Sequence, residues 1–438
     1  MHRLLLCLSF LATASAAFVP LKHRGFSLQN ETIEDYMGNA PNVTTLDHSA
    51  GIGAEFETAM FTLVHKGCAA EDSDQLKGAV IGDHKDENSQ WALTADTTSK
   101  PDQLHAEYIF YGQNIKVGSG DAAKAGAVAA KDFVNWSPWA GDDADNIKIG
   151  DGVCDPWKIQ GASKNWKAED VTWDAQVTAP MPLEGVYSLM QEQQQDPQEH
   201  NILDGYETIR TGAHHSPGGV NLVVVTKDFF QTSPNGIAAD KVTDDVLGFC
   251  SLVLSYAKGV GNDYLLRPGE SVKLMTTFMP RTEFNTIFKQ VKSKISGDLY
   301  DLFNILACYQ SAKSSGSTTT TLDKTYCSGS VTKPVPNGEF AKLNFQNSEN
   351  SVNVKTWIQG IGTGSGTQDA LSNLDSSLDK SIGGLGTQTE NMYKTQRAVP
   401  LFEFRDLPQS PTTSGFEKFL NDADEAVLTL HEKFASVP

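Results

Sequence analysis

The sequence predicts an α+β fold: an antiparallel β-sheet with one acidic face, packed by helices. Two observations carry this. Stretches such as Ala50 to Val64, His105 to Tyr111 and Val399 to Leu407 alternate polar and apolar residues with the period of two that a strand requires. Between and after them come segments with helical spacing, among them Asp121 to Val134, Phe284 to Ile295 and a final helix whose apolar residues are Phe416, Phe419, Leu420, Ala423, Val427, Leu430 and Phe434. No break in composition and no internal repeat marks a second folding unit.

Taken in order, residues 1–16 read as a signal peptide, with Leu4 to Ala12 as its apolar core and Ala14-Ser15-Ala16 as a small-residue cleavage site. Residues 17–48 read as a polar arm carrying the glycosylation patterns Asn30-Glu31-Thr32 and Asn42-Val43-Thr44. Residues 49–438 are expected to form a single domain. Its first strand is Ala50 to Val64, and residues 66–90 read as an acidic loop. Trp91 to Thr97 ends in a turn that contains Asp96, and a second strand covers His105 to Tyr111. Asp121 to Val134 is an Ala-rich helix, Asp142 to Gly152 a surface loop, Val171 to Val177 a strand and Leu183 to Gln194 a short helix. Val220 to Thr226 is the strongest candidate for a buried strand, and Asp244 to Lys258, apolar nearly all round, for a core helix. Ser271 to Phe278 reads as a strand and Leu299 to Tyr309 as a helix. The Ser/Thr-rich stretch within 311–333 is a loop, and Gly360 to Gly366 a linker or flap without a nucleotide-loop signature. Ser414-x-x-Glu417 has the pattern of a capping box for the last helix.

The 438 residues carry a net charge of −19, which disfavours nucleic acid or an anionic membrane as a non-specific partner. No apolar run is long enough to span a bilayer. With Cys7 in the signal segment, five cysteines remain. Cys308 with Cys327 is the preferred disulfide, Cys68 with Cys154 a second, and Cys250 a buried thiol. No Cys/His cluster has the sequence spacing of a zinc site.

The chemistry-bearing residues lie on the alternating strands. In Gly53-Ala54-Glu55-Phe56-Glu57, Glu55 and Glu57 share one face and repel unless a cation lies between them. An isolated pair of this kind is ordinarily a solvated strand face. Glu107 and Glu403 sit on similarly patterned strands, Asp96 precedes one of them, and Arg281 and Arg405 are suited to a phosphate or carboxylate.

This order of motifs resembles the amidoligase branch of the glutamine synthetase-like carboxylate–amine ligases. Gly53-x-Glu55-Phe56-Glu57 matches the family's G-x-E-x-E, Trp91 to Asp96 its W-x-x-x-x-D, and Glu107-Tyr108-Ile109 its following glutamate strand. Met279 to Phe284 and Leu401 to Arg405 are similar to its later arginine and glutamate–arginine segments. The resemblance implies a glutamine synthetase-like antiparallel sheet whose concave face holds ATP with Mg²⁺ (or Mn²⁺). A carboxylate substrate, small molecule or peptide, would be phosphorylated to an acyl phosphate and attacked by an amine. Glu55, Glu57, Glu107 and Glu403 would be metal ligands, Asp96, His214 and His215 would lie about the nucleotide, and Arg281 and Arg405 would contact phosphate or substrate. The family's His-x-His strand has no counterpart: the corresponding stretch reads Gly219 to Val224, with His214 and His215 in the turn before it. Three functions follow as expectations: an ATP- and Mg²⁺-dependent carboxylate–amine ligase, as a secreted effector or toxin with a host target; a non-catalytic secreted effector or binding protein on the same fold, with its metal site degenerate; and a secreted hydrolase.

Overall fold

A strand in which every second residue is apolar can serve two environments at once, and the sheet is built around one that does. In the computed structural model, β1 (Gly53–Val64) buries Ala54, Phe56 and Thr58 while Gly53, Glu55 and Glu57 stay partly exposed. The structure describes residues 50–97, 102–136, 146–161, 167–194, 223–232, 237, 239–259, 278–314, 344–346, 351–363 and 389–436, apart from residues 66, 70, 71, 74, 153, 155, 406 and 408. Asn30, Asn42 and the whole signal-like segment lie outside them.

After β1 come β2 (Val80–Lys85), β3 (Trp91–Thr97) and β4 (Gln103–Phe110), then helix α1 (Asp121–Val134), β5 (Lys158–Gln160), β6 (Asp174–Pro180) and α2 (Leu183–Gln194). The short α3 (Lys227–Thr232) leads to α4 (Asp244–Gly259), β7 (Phe278–Pro280), α5 (Phe284–Val291) and α6 (Leu299–Ser314). The hairpin β8 (Asn344–Gln346) and β9 (Ser351–Asn353) precedes α7 (Val354–Thr363), and β10 (Thr389–Asn391), β11 (Ala398–Phe404) and α8 (Phe416–Phe434) complete the described chain. The main sheet runs β10-β11-β6-β1-β4-β3-β2, with β5 added to β1 and β7 to β11. Its strand pairs are antiparallel, so the expected class, an antiparallel sheet packed by helices, is what forms.

One face of this sheet is apolar. Phe56 is fully buried and meets Phe110, Phe416 and Phe419 at ring-centroid distances of 5.1, 4.6 and 5.3 Å. Tyr108, Phe133 and Trp173 extend the cluster, bringing α1 and α8 onto the sheet. Gly126 makes the crossing of those helices feasible, since a Cβ there would stand 2.8 Å from the Phe416 carbonyl oxygen. The expected apolar residues of α8 are all buried. The capping box is not used, however. A 3-10 turn at Thr413–Gly415 leads straight into α8, whose N-cap Gly415 has no side chain to offer.

Several local expectations are corrected. Residues 80–85 are strand β2 rather than loop, and Asp96 lies within β3, paired with His105, rather than in a turn. Ile147 and Ile149, expected in a surface loop, are buried and bridge to Trp157 and Ile81. Val223 to Thr226 is not a strand. The N–H groups of Val223 and Val225 donate instead to Ser255 Oγ and Ser251 Oγ of α4, so helix side chains satisfy the backbone that a sheet would otherwise pair. Gly360 and Gly362 sit inside α7, where Gly362 faces Leu299. Cys68 and Cys154 form a disulfide, and Cys250 is a buried free thiol whose burial pushes its pKa up. The proposed Cys308–Cys327 bridge and residues 315–333 of the Ser/Thr-rich loop lie outside the described side chains.

Candidate functional site

Residues directly opposite in an antiparallel pair point to the same side of the sheet. The register therefore sets Glu107 of β4, Glu57 of β1 and Asp174 of β6 in one row across three strands. In the next row Glu55 stands opposite Ile109 on one side and Gln176 on the other. Further along, Glu403 of β11 opposes Thr178 of β6 and Met279 of β7. The polar face thus changes from acidic over β4 and β1 to mixed charge over β6 and β11.

Glu55, Glu57 and Glu107 converge. Each offers a carboxylate oxygen within 4.8 Å of the others, and Glu107 is the buried member of the three. Like charges directly opposite one another destabilise a sheet, and here they are stacked rather than dispersed. Burial, followed by the fields of Glu55, Glu57 and Asp96, pushes the Glu107 carboxyl well above the ordinary range, with Lys77 pulling the other way. Lys77 itself pairs with Asp96 at 2.7 Å. Burial and Glu107 also raise the pKa of Tyr111. Three carboxylates in reach of a common point, one of them desolvated, fit a hard divalent cation, which takes oxygen ligands.

Glu403 does not join this group among the described residues. It is 1% exposed and lies between Arg281, whose Nε is 3.1 Å from Oε2, and Arg405, which is hydrogen-bonded to Oε1. The charge of Glu403 is therefore already matched by two guanidinium groups, and metal ligation would have to compete with both. Arg405 also donates to Gln176 Oε1 at 2.6 Å, which links the arginines to the row containing Glu55. Both arginines keep some exposure on the polar face, 23% for Arg281 and 15% for Arg405, so an anion could reach them.

No protein-family model matches the chain, and no curated protein matches it. Among solved structures it is similar to the ACD domain of a VgrG toxin of Vibrio cholerae, a glutamate-to-glutamine mutant in complex with ADP and Mn++. That likeness has 13% identity and a TM-score of 0.41, and covers 82% of this chain and 95% of the other.

Of the residues singled out from sequence, Glu55, Glu57, Asp96, Glu107, Arg281, Glu403 and Arg405 lie on the sheet strands or directly beside them, and Glu55, Glu57 and Glu107 form the close cluster. His214 and His215 lie outside the described residues. Sequence reasoning missed Asp174, Gln176 and Lys77. The first two were within reach, because Asp174, Gln176 and Thr178 alternate with the apolar Ala175, Val177 and Ala179. Lys77 comes from a turn before β2, where no periodicity distinguishes one lysine from another.

Proposed function

We propose that the polar face binds a divalent cation together with ATP, and that the chain is a secreted, ATP-dependent carboxylate–amine ligase of the glutamine synthetase-like amidoligase kind. The observation that carries this reading is the convergence of Glu55, Glu57 and Glu107 on the polar face, two strands away from a pair of arginines. Glu55, Glu57 and Glu107 would hold Mg²⁺ or Mn²⁺, which when bound offsets the phosphate charge that otherwise keeps an anionic substrate away. Arg405 and Arg281 would orient a phosphate or the substrate carboxylate, with Glu403 and Gln176 fixing the planes of their guanidinium groups. The substrates are a carboxylate and an amine, of small-molecule or peptide class. The Cys68–Cys154 disulfide agrees with an oxidising compartment and so with secretion.

A second reading has its own support. Glu403 already occupies both arginines, which suits a protein that binds metal and nucleotide without turning over.

Thermal unfolding separates these readings from a site that binds nothing. At a hundredfold excess over Kd, ATP with Mg²⁺ or Mn²⁺ should stabilise the chain by about 2.7 kcal/mol, and Glu55→Gln should lose most of that. Equal melting temperatures with and without nucleotide in the wild type would end the nucleotide-binding proposal. Stabilisation without release of ADP, across a panel of carboxylates and amines, would favour the non-catalytic reading.

A further inference from the structure

Beyond the other end of β1 lies a second group of metal-ligating side chains, unconnected with the carboxylates. The β1–β5 ladder ends at the pair Val64–Lys158. Cys68 follows Val64 by four residues and Cys154 precedes Lys158 by four, so their disulfide closes the open end of that ladder. His65, the first residue after β1, stands against them: one of its ring nitrogens and both sulfurs lie within 4.8 Å of one another. Its Nδ1 is buried and finds no hydrogen-bond partner among the described residues. A disulfide needs no imidazole beside it, and a buried nitrogen without a partner calls for a reason.

The local backbone suits a ligand knuckle. His65 and Cys68 are three residues apart, and Gly67 between them adopts φ +99° with no atom of the described residues within 4 Å of where its Cβ would be. The loop thus has room to adjust when the sulfurs separate. Trp157 lies 5.7 Å from the imidazole and is fully buried, giving the group an apolar wall. The third ligand arrives from 86 residues away, which is why sequence spacing alone passed over it.

We propose that His65, Cys68 and Cys154 form a redox-gated site for a thiophilic divalent cation such as Zn²⁺. In the oxidised chain the two sulfurs are joined to each other. A dithiol reductant breaks that bond by exchange: its own two sulfurs become the new disulfide, and its two protons pass to Cys68 and Cys154. The freed thiols release those protons to solvent as they ligate the cation, His65 contributes a nitrogen lone pair, and water takes the fourth position. The end of the β1–β5 ladder is then cross-linked in either state, covalently in an oxidising compartment and by metal in a reducing one. This inference is independent of the nucleotide proposal.

The test is a Co²⁺ titration of the full chain, oxidised and after reduction with a phosphine. Only thiolate ligation gives the intense sulfur-to-cobalt charge-transfer absorption, so cobalt held by Glu55, Glu57 and Glu107 does not contribute to it. The reduced chain should develop the band at one Co²⁺ per chain, Zn²⁺ should abolish it, and the oxidised chain should lack it. His65→Ala should weaken or shift it and Cys154→Ser should remove it. A reduced wild type that stays folded, by circular dichroism, and gives no band would overturn the proposal, as would a band unchanged in His65→Ala. Should the reduced metal-free chain melt at lower temperature, Zn²⁺ is expected to restore the loss in wild type and not in Cys154→Ser. Restoration in both would also overturn it.

Discussion

The two faces of the main sheet use the same strands for opposite ends. On one face Phe56, Tyr108, Phe110 and Val177 are removed from water, and the three aromatic rings among them meet those of Phe416, Phe419 and Trp173. On the other, the residues between them are Glu55, Glu57, Glu107 and Gln176, which leave like charges opposed and one carboxylate buried. The apolar face stabilises the fold, while the polar face is retained at a cost to it. A sheet arranged in this way concentrates its unfavourable electrostatics where a ligand can relieve them.

The largest expected effect comes from the apolar face. Phe56→Ala removes a fully buried ring in contact with three others and should cost about 3–5 kcal/mol in urea unfolding. Second is the mixed-charge end of the polar face. Replacing both Arg281 and Arg405 with Met strands the buried carboxylate of Glu403 and should cost about 3 kcal/mol. Adding Glu403→Gln should recover a large part of it. Third, and opposite in sign, Glu57→Gln should leave the metal-free chain as stable as wild type or more so, by up to about 1 kcal/mol, because it relieves the row formed with Glu107 and Asp174. A cost comparable to that of Phe56→Ala would erase the contrast between the faces.

The smallest effect is on pH dependence. His431 of α8 accepts from the Tyr393 N–H through Nδ1 and donates through Nε2 to the Pro180 carbonyl at 2.6 Å, which fixes it as the neutral tautomer. Burial lowers its pKa, against a smaller upward pull from Pro180. The unfolded chain therefore binds this proton more readily than the folded one. Stability from this residue is complete above the ordinary histidine range and is lost as pH falls from there towards the depressed value. His431→Gln should flatten the dependence of the melting temperature on pH in that window, and an unchanged slope would show that other groups set it.

The sequence made β1, β4, β11, α1 and α8 legible because each has a clean period that separates an apolar face from a polar one. Their faces were legible for the same reason: Phe402 and Phe404 are buried on one side of β11, opposite Glu403. What escaped depended on partners distant in the chain. Val223 to Thr226 has strand composition, yet two serines of α4 take its N–H groups. β2 carries Gly82, Asp83 and His84 and reads as loop until β3 pairs with it. On sequence alone Glu403 stood beside Glu55, Glu57 and Glu107 as a metal ligand, and its separation from them was not visible there. Alternation places a carboxylate on a face without saying which arginines it will meet.

The account rests most directly on whether the acidic end of the polar face holds a cation. Paramagnetic resonance of free Mn²⁺, titrated with wild type, Glu57→Gln and Glu403→Gln, measures this without reference to any substrate. Wild type should take up Mn²⁺ at the Glu55–Glu57–Glu107 cluster, Glu57→Gln should lose that uptake, and Glu403→Gln should keep it. Uptake that is absent in wild type, or unchanged in Glu57→Gln, would contradict the assignment of the site.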